Sequence, residues 1–378
     1  MQTLTVNHLP VPTWNRLDMN RARMDAPDRA AGAEIASGAL PDGVKVRRVS
    51  QSEAAAELYA RAPALPAGEA QAAGKAPAYS AQNLQTGLGA DADVWLAKSG
   101  APVDIYTVPP GTKAAAPLVL RVRAAGDSAV SQLIFAGEDS EFTLACGFSS
   151  AEDEQGFFAA STRVVLSKGA KVKLVRLQTL GGGIAHFDDI GAYCGAASEF
   201  SVVALELGGG SVWAGAAAAQ DGDGSAFRLD LGYLGRGGRK LDFNYDAVQR
   251  GKKTDSRMNV HGVLADSAQK LLRATIDFRR GSAGSTGDEQ EDTLLLSPAV
   301  VNRTIPLILC EEENVEGRHG ATIGKPSEET LFYMLSRGIP RREAELMLLR
   351  ARLQSVSRLV PDDGLRGEAE HMIREALQ

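Results

Sequence analysis

Three cysteines, Cys146, Cys194 and Cys310, stand far apart, and no Cys-x-x-Cys pair joins any two of them. An odd, scattered set builds neither a disulfide framework nor a closed zinc site and reads as reduced thiols. Free cysteine is commonly a small buried hydrophobe, so all three are assigned to packing, Cys310 at the end of the apolar run Ile305-Pro306-Leu307-Ile308-Leu309. His186-Phe187-Asp188-Asp189 is the only local cluster carrying the carboxylates that a carbohydrate lyase or hydrolase would use, and a polar turn accounts for it equally well. Gly320-Ala321-Thr322-Ile323-Gly324-Lys325-Pro326 is superficially like a phosphate loop. It has three residues between its glycines where that loop needs four, and Pro326 replaces the magnesium-binding hydroxyl. The chain is therefore not expected to hydrolyse ATP, and it contains no Gly-x-Ser-x-Gly elbow, HExxH pair or Rossmann fingerprint.

The elements that would position such residues are bounded by composition. A chain of 378 residues, 44% hydrophobic and 23% charged, is long enough for two or three domains with a substantial core. Its 41 basic against 47 acidic side chains give a net charge of −6, which offers no bulk field for nucleic acid or an anionic bilayer. Neither a signal peptide nor an apolar run of the roughly 18 residues that a membrane span needs is present, so a cytoplasmic protein is expected. Aromatic content of 6% also weighs against a secreted sugar-binding groove.

Three textures follow one another. Residues 1–82 form a small mixed region, with a helix expected to open at Ser52 and an Ala/Pro/Gly-rich connector over 62–78. Residues 83–310 alternate short apolar runs with glycine-rich corners, as in Leu241, Phe243 and Tyr245 against Asp242, Asn244 and Asp246, and show almost no convincing helix. Many strands without helical crossovers exclude a doubly wound sheet and leave a sandwich, a barrel or a β-helix; no strict repeat period chooses among them. Residues 311–378 are helical. Ser327 is placed as an N-cap, Gly338 as a terminating glycine and Pro340 at the start of a second helix. That helix carries two apolar stripes, one of Ala344, Met347, Leu348 and Ala351 and one of Leu346, Leu349, Leu353, Val356 and Val360. One stripe suits the β region and the other a partner, unless a third helix (Leu365, Ala369, Met372, Ala376) lets the subdomain bury both.

The segment from Leu294 to Arg352 is recognisable. Leu294-Leu295-Leu296-Ser297-Pro298-Ala299, Thr304-Ile305-Pro306-Leu307-Ile308, Val315-Glu316-Gly317-Arg318-His319-Gly320-Ala321-Thr322-Ile323-Gly324-Lys325, Leu331-Phe332-Tyr333 and Ser336-Arg337-Gly338-Ile339 resemble the C-terminal signature of the SufB/SufD family. Members of that family are scaffold subunits of the SUF iron–sulfur cluster assembly machinery. Pro12-Thr13-Trp14-Asn15-Arg16-Leu17 and Asn20-Arg21 are similar to the opening of SufD-type chains. The resemblance implies a mainly β protein, with a right-handed parallel β-helix core flanked by a small N-terminal region and a C-terminal α-helical domain. It implies pairing through the β-helix with a SufB-type subunit or with itself, and docking of a SufC-type ABC ATPase on the helical region. No cofactor would be held stably by this chain alone, although a transient iron–sulfur cluster could form at a subunit interface.

SufB-type chains carry a cysteine and a glutamate at positions that here are Val300 and Gly320, and many SufD-type chains carry a cysteine at the position of Gly317, so the SufD branch is implied with one thiolate lost. His319 is then the candidate cluster-interface and metal residue, against a plainer role as a loop histidine at the junction with Ser327. Glu316 is a weaker candidate, and Glu311-Glu312-Glu313 could offer hard oxygen ligands but suits a solvated loop. Leu346, Leu349, Leu353 and Val356 are expected to dock the ATPase. The competing readings are a purely structural stabiliser without iron contact and a β-helix carbohydrate-active enzyme.

Overall fold

The structure is a computed structural model and describes residues 1–13, 15–61, 84–325 and 327–376; the 62–78 connector lies outside them. The N-terminal region supplies an antiparallel hairpin, β1 (Gln2–Val6) and β2 (Ala22–Ala26), then β3 (Ala31–Gly32), β4 (Glu34–Ser37), β5 (Lys45–Val49), α1 (Gln51–Arg61) and α2 (Ala90–Ser99). Eight strand pairs follow. They are β6 (Val103–Val108) with β7 (Leu118–Arg123), β8 (Ser128–Ala136) with β9 (Glu141–Ser149), β10 (Gln155–Leu166) with β11 (Lys171–Thr179), and β12 (Gly183–Cys194) with β13 (Glu199–Glu206). The series continues as β14 (Ser211–Gln220) with β15 (Ala226–Gly235), β16 (Lys240–Gln249) with β17 (Asp255–Leu264), β18 (Gln269–Phe278) with β19 (Ser285–Leu295), and β20 (Val301–Cys310) with β21 (Val315–Gly324). Helices α3 (Glu328–Ser336), α4 (Arg341–Ser357) and α5 (Asp363–Ala376) close the chain.

Even-numbered strands from β6 to β20 lie side by side in one sheet and odd-numbered strands from β7 to β21 in the other, every neighbour parallel. Successive strands belong to opposite sheets, so the chain winds as a parallel β-helix and needs no helical crossover. In-register partners are separated by 26 residues (Ala185 to Ser211) up to 32 (Gln269 to Val301). The corners absorb this difference, which is why no strict period is visible in the sequence. The fold extends one strand beyond the boundary expected at Cys310: β21 pairs along its whole length with β19. Its sequence, VEGRHGATIG, has too little apolar alternation to be read as a strand.

Period-2 alternation sends one set of side chains inward. Phe158, Phe200, Phe227, Phe243 and Phe278 belong to the apolar interior, with Phe200 and Phe227 stacked at 5.8 Å. The outer face of the even sheet is covered by the N-terminal region. Trp95 of α2 packs edge-on against Phe157 and Phe187, and its indole N–H donates to the carbonyl of Pro27 at 2.6 Å. This helix was missed in the sequence reading, although Asp91 and Asp93 in its first turn, Lys98 in its last and Gly100 at a φ of 87° mark both ends. Helix α1 begins at Gln51, and its capping pair is Ser50 with Glu53, so Ser52 is not the cap. Where the chain between α1 and α2 lies on the sheet, a Cβ on Gly87 would sit 2.1 Å from the backbone of Gly215, so only glycine fits there.

The outer face of the odd sheet is covered by α4 and α5. Ser327 caps α3 through the Thr330 N–H, Gly338 follows α3 at a φ of 85°, and Pro340 precedes α4, all as expected. Leu349, Leu353, Val356, Val360, Leu365, Ala369 and Ile373 bury against Val175, Leu177, Val203, Leu205 and Val263. No described helix is long and apolar enough to cross a membrane.

Charged groups interrupt the apolar interior. Arg176, fully buried, lies 3.3 Å from Asp188 and donates to Gln132 Oε1 at 3.1 Å and to the Thr162 hydroxyl. Burial pushes Asp188 up to about 6 and Glu206 up to about 8, and it pulls His186 down to about 4. Between the unfolded-state glutamate value near ~4.3 and about 8, the unfolded chain has released the Glu206 proton while the folded chain holds it. Stability from this group therefore falls as pH rises through that window and stays reduced above it. Glu206→Gln should exceed wild-type stability at pH 8.5 by on the order of 2 kcal/mol and lose that advantage at pH 4, as read by urea denaturation.

Candidate functional site

The two ends of the β-helix differ. At the first, β5 pairs antiparallel with β6 and β4 antiparallel with β7, so the ladder is closed. At the last, no described strand pairs with the outer edge of β20 or β21. The inward-facing positions of this final turn are thereby turned toward solvent. On β21 they are Val315, Gly317, His319, Ala321 and Ile323, in register with Ser285, Gly287, Glu289, Glu291 and Thr293 of β19.

His319 is thus a strand residue on the open end, and not a loop histidine. Its side chain is exposed. Glu316 is exposed too and lies 3.6 Å from Arg318, a surface pair of little energetic weight. A Cβ at Gly317 would lie 3.0 Å from both Ile308 and Phe278, so the cysteine of related chains would have to displace apolar neighbours here. Glu311, Glu312 and Glu313 form the last corner. Glu312 accepts from the Gly281 N–H at 3.0 Å and Glu311 lies 3.4 Å from Arg279, so the run serves the turn stack.

Immediately beneath the final turn lies a buried polar cluster that sequence reasoning did not anticipate. Lys270 donates to Glu291 at 2.6 Å with both side chains fully buried, and Thr293 and Thr304 donate to the same carboxylate at 2.8 and 2.7 Å. Glu289, also buried, receives no hydrogen bond from the described residues, and burial, reinforced by the neighbouring Glu291 and opposed by Lys270, pushes it up to about 8. The available signal was a break in strand phase. Lys270 takes the inward phase of Leu272, Ala274 and Ile276, and Glu289 and Glu291 occupy inward positions of a strand with almost no apolar residues.

The thiols diverge from one another. Cys146 and Cys194 are buried, as read, with Cys194 in the apolar interior and Cys146 beside Gln132 and Arg176. Cys310 is exposed at the last corner, its thiol 3.0 Å from the Glu312 carbonyl, so the packing role assigned to it is corrected. Among the described residues no three His, Cys, Asp or Glu side chains converge on a metal position. His186 and Asp188 face the sealed interior while Asp189 faces outward to bind Arg163 at 2.7 Å, so the cluster offers no open groove for a polymer.

The expected docking residues also need correction. Leu349, Leu353 and Val356 are at most 2% exposed, and Leu346 packs partly against the same cluster. Their stripe covers the odd sheet of this chain and is not free for a partner. Of the other stripe, Ala344 is fully buried and Leu348 half-buried, so only Met347 and Ala351 face outward; α3, which packs against α4, carries Phe332, Tyr333 and Leu335 at 40–76% exposure.

A two-sheet parallel β-helix, capped at one end and flanked by helices, defines the class of protein as a β-solenoid. The family model described as SUF system FeS cluster assembly, SufBD core domain, matches residues 122–352, more than half of the chain, and the chain belongs to that family. Similar proteins include the iron-sulfur cluster assembly protein SufD of Bacillus subtilis (strain 168), 26% identical over 42% of this chain and 36% of that protein. A chloroplastic SufBD family protein of Arabidopsis thaliana is 25% identical over 61% of this chain and 43% of its own length. A SufBD family protein of Trieres chinensis is 26% identical over 57% and 46%. The chain therefore matches less than half the length of these relatives.

Leu353→Asp should lower stability by about 4 kcal/mol or more, because it buries an unpaired carboxylate, whereas Met347→Asp should change it by no more than about 0.5 kcal/mol. Thermal melts followed by circular dichroism would separate the two; equal melting temperatures would contradict the burial of this stripe.

Proposed function

We propose that the chain is a non-catalytic, SufD-type scaffold subunit for iron–sulfur cluster assembly, working in the cytosol. The observation that carries this reading is the open end of the β-helix. Two unpaired parallel edges and the exposed His319 lie together on a surface that another β-helix can extend by strand pairing. The partner is a SufB-type subunit or a second copy of this chain, and the nascent cluster, as cargo, forms at the junction with most of its thiolate supplied from the other side. Imidazole from His319 is this chain's contribution, consistent with the tight fit that disfavours a cysteine at Gly317. The SufC-type ATPase docks on the apolar surface of Phe332, Tyr333, Leu335 and Met347, which replaces the buried stripe as the docking site.

His319→Ala should reduce maturation of iron–sulfur client proteins at least tenfold in cells while the assembled complex is recovered intact. Normal maturation would instead favour a purely structural stabiliser. Phe332→Asp combined with Tyr333→Asp should remove the ABC-type ATPase from complexes pulled down from the native host without changing the melting temperature; undiminished recovery would rule out this surface as the docking site.

A further inference from the structure

Well inside the β-helix, on three consecutive strands, polar atoms are sealed from solvent without a protein group to bond to. Arg176 of β11, His186 and Asp188 of β12 and Glu206 of β13 are at most 3% exposed, and their inward neighbours Cys146, Phe148 and Ala204 belong to the apolar interior. Arg176 Nη2 donates to Gln132 and Thr162, which uses two of the five guanidinium N–H groups and leaves three. Nη1 has no partner, and Nε, although 3.3 Å from Asp188, lies off the line of a hydrogen bond. Asp188 Oδ1, His186 Nε2 and Glu206 Oε2 are unpartnered as well. The imidazole tautomer is set by its other nitrogen: Nδ1, 2.9 Å from the Phe158 carbonyl, carries the proton and donates it there, so Nε2 is a bare acceptor.

These groups share one enclosure. Asp188 and Arg176 both act on Glu206, and Arg176 acts on His186. Aromatic rings wall the space, with the Arg176 guanidinium 5.5 Å from the Phe148 ring and Phe158 stacked on the His186 imidazole at 5.2 Å. Its charges already balance. Asp188 offsets Arg176, and burial keeps Glu206 protonated and His186 neutral. An ion would upset that balance, whereas a small neutral molecule able both to donate and to accept would satisfy the leftover atoms. Water has this character, and a buried water makes about three hydrogen bonds, so three spare donors and three spare acceptors call for about two waters.

We propose that Arg176, His186, Asp188 and Glu206 form an internal hydration site, in which about two ordered waters bridge the guanidinium to the imidazole and the two carboxyl groups. These waters add a link between the sheets, from Arg176 and Glu206 on one to His186 and Asp188 on the other. The site is enclosed by coils on both sides, so its waters are long-lived parts of the fold and not solvent entering from an end.

A high-resolution crystal structure of the full chain should show water density within about 2.7–3.2 Å of Arg176 Nη1, Asp188 Oδ1, His186 Nε2 and Glu206 Oε2. Direct pairing of these atoms with no density between them overturns the proposal, and so does a halide peak beside Arg176 in crystals soaked in bromide, which would make the occupant an anion. In solution, water-oxygen relaxation dispersion counts long-lived internal waters. Combining Arg176→Met, Asp188→Leu and Glu206→Leu, which replaces the charged set with apolar side chains, should remove about two of them per molecule. An unchanged count in the folded variant overturns the site. Should the variant not fold, the wild type decides the matter by NMR: the His186 ring protons must show cross-relaxation with water, and its absence is equally fatal.

Discussion

A parallel ladder satisfies its backbone groups only by adding another turn, so every β-helix must do something at its two ends. Here the first end is closed with strands of reversed direction, β4 and β5, which accept the ladder's hydrogen bonds without offering a further parallel edge. Among the described residues the last end has no such closure. The candidate residues gather there because inward-facing positions are sealed everywhere else. The same strand phase that buries Phe200 or Phe243 in mid-helix exposes His319 on the terminal turn.

Closure of the two outer faces follows a related logic. Each sheet is apolar on both sides, so each needs an outer cover as well as an interior. The N-terminal region covers the even sheet through Trp95 and the Asp93 contact with Arg163, and α4 and α5 cover the odd sheet through Leu349, Leu353 and Val356. These covers consume apolar surface that would otherwise be free for binding. What remains exposed on α3 and α4 is therefore a selective remnant of the helical region.

Much of the architecture was legible from alternation alone. Leu241, Phe243 and Tyr245 point inward as their phase requires, and the caps at Ser327 and Gly338 stand where hydroxyl and glycine chemistry put them. Three features were hidden for physical reasons. Helix α2 is short and buries Trp95 against strands far away in sequence, so its local amphipathic signal is weak. Strand β21 is rich in glycine and polar residues because one of its faces has no interior to fill. The stripe of Leu346 to Val356 looked free because periodicity shows that a face is apolar, but not which surface it meets. Glu289, Glu291 and Lys270 were overlooked because a charge in a strand is ordinarily assigned to the solvent side. Strand phase already marks them as inward, and the register adds that they lie beneath the turn that carries His319.

Variable corners also make the solenoid's length a separable property. Each turn touches only the turns before and after it, and spacings of 26 to 32 residues are already tolerated. Inserting or deleting one mid-helix coil would move the reversed-strand cap relative to the unclosed terminus by one strand spacing, about 4.8 Å, and leave the chemistry of both extremities unchanged. Reach along the cylinder can thus be retuned in discrete steps, independently of what either tip recognises.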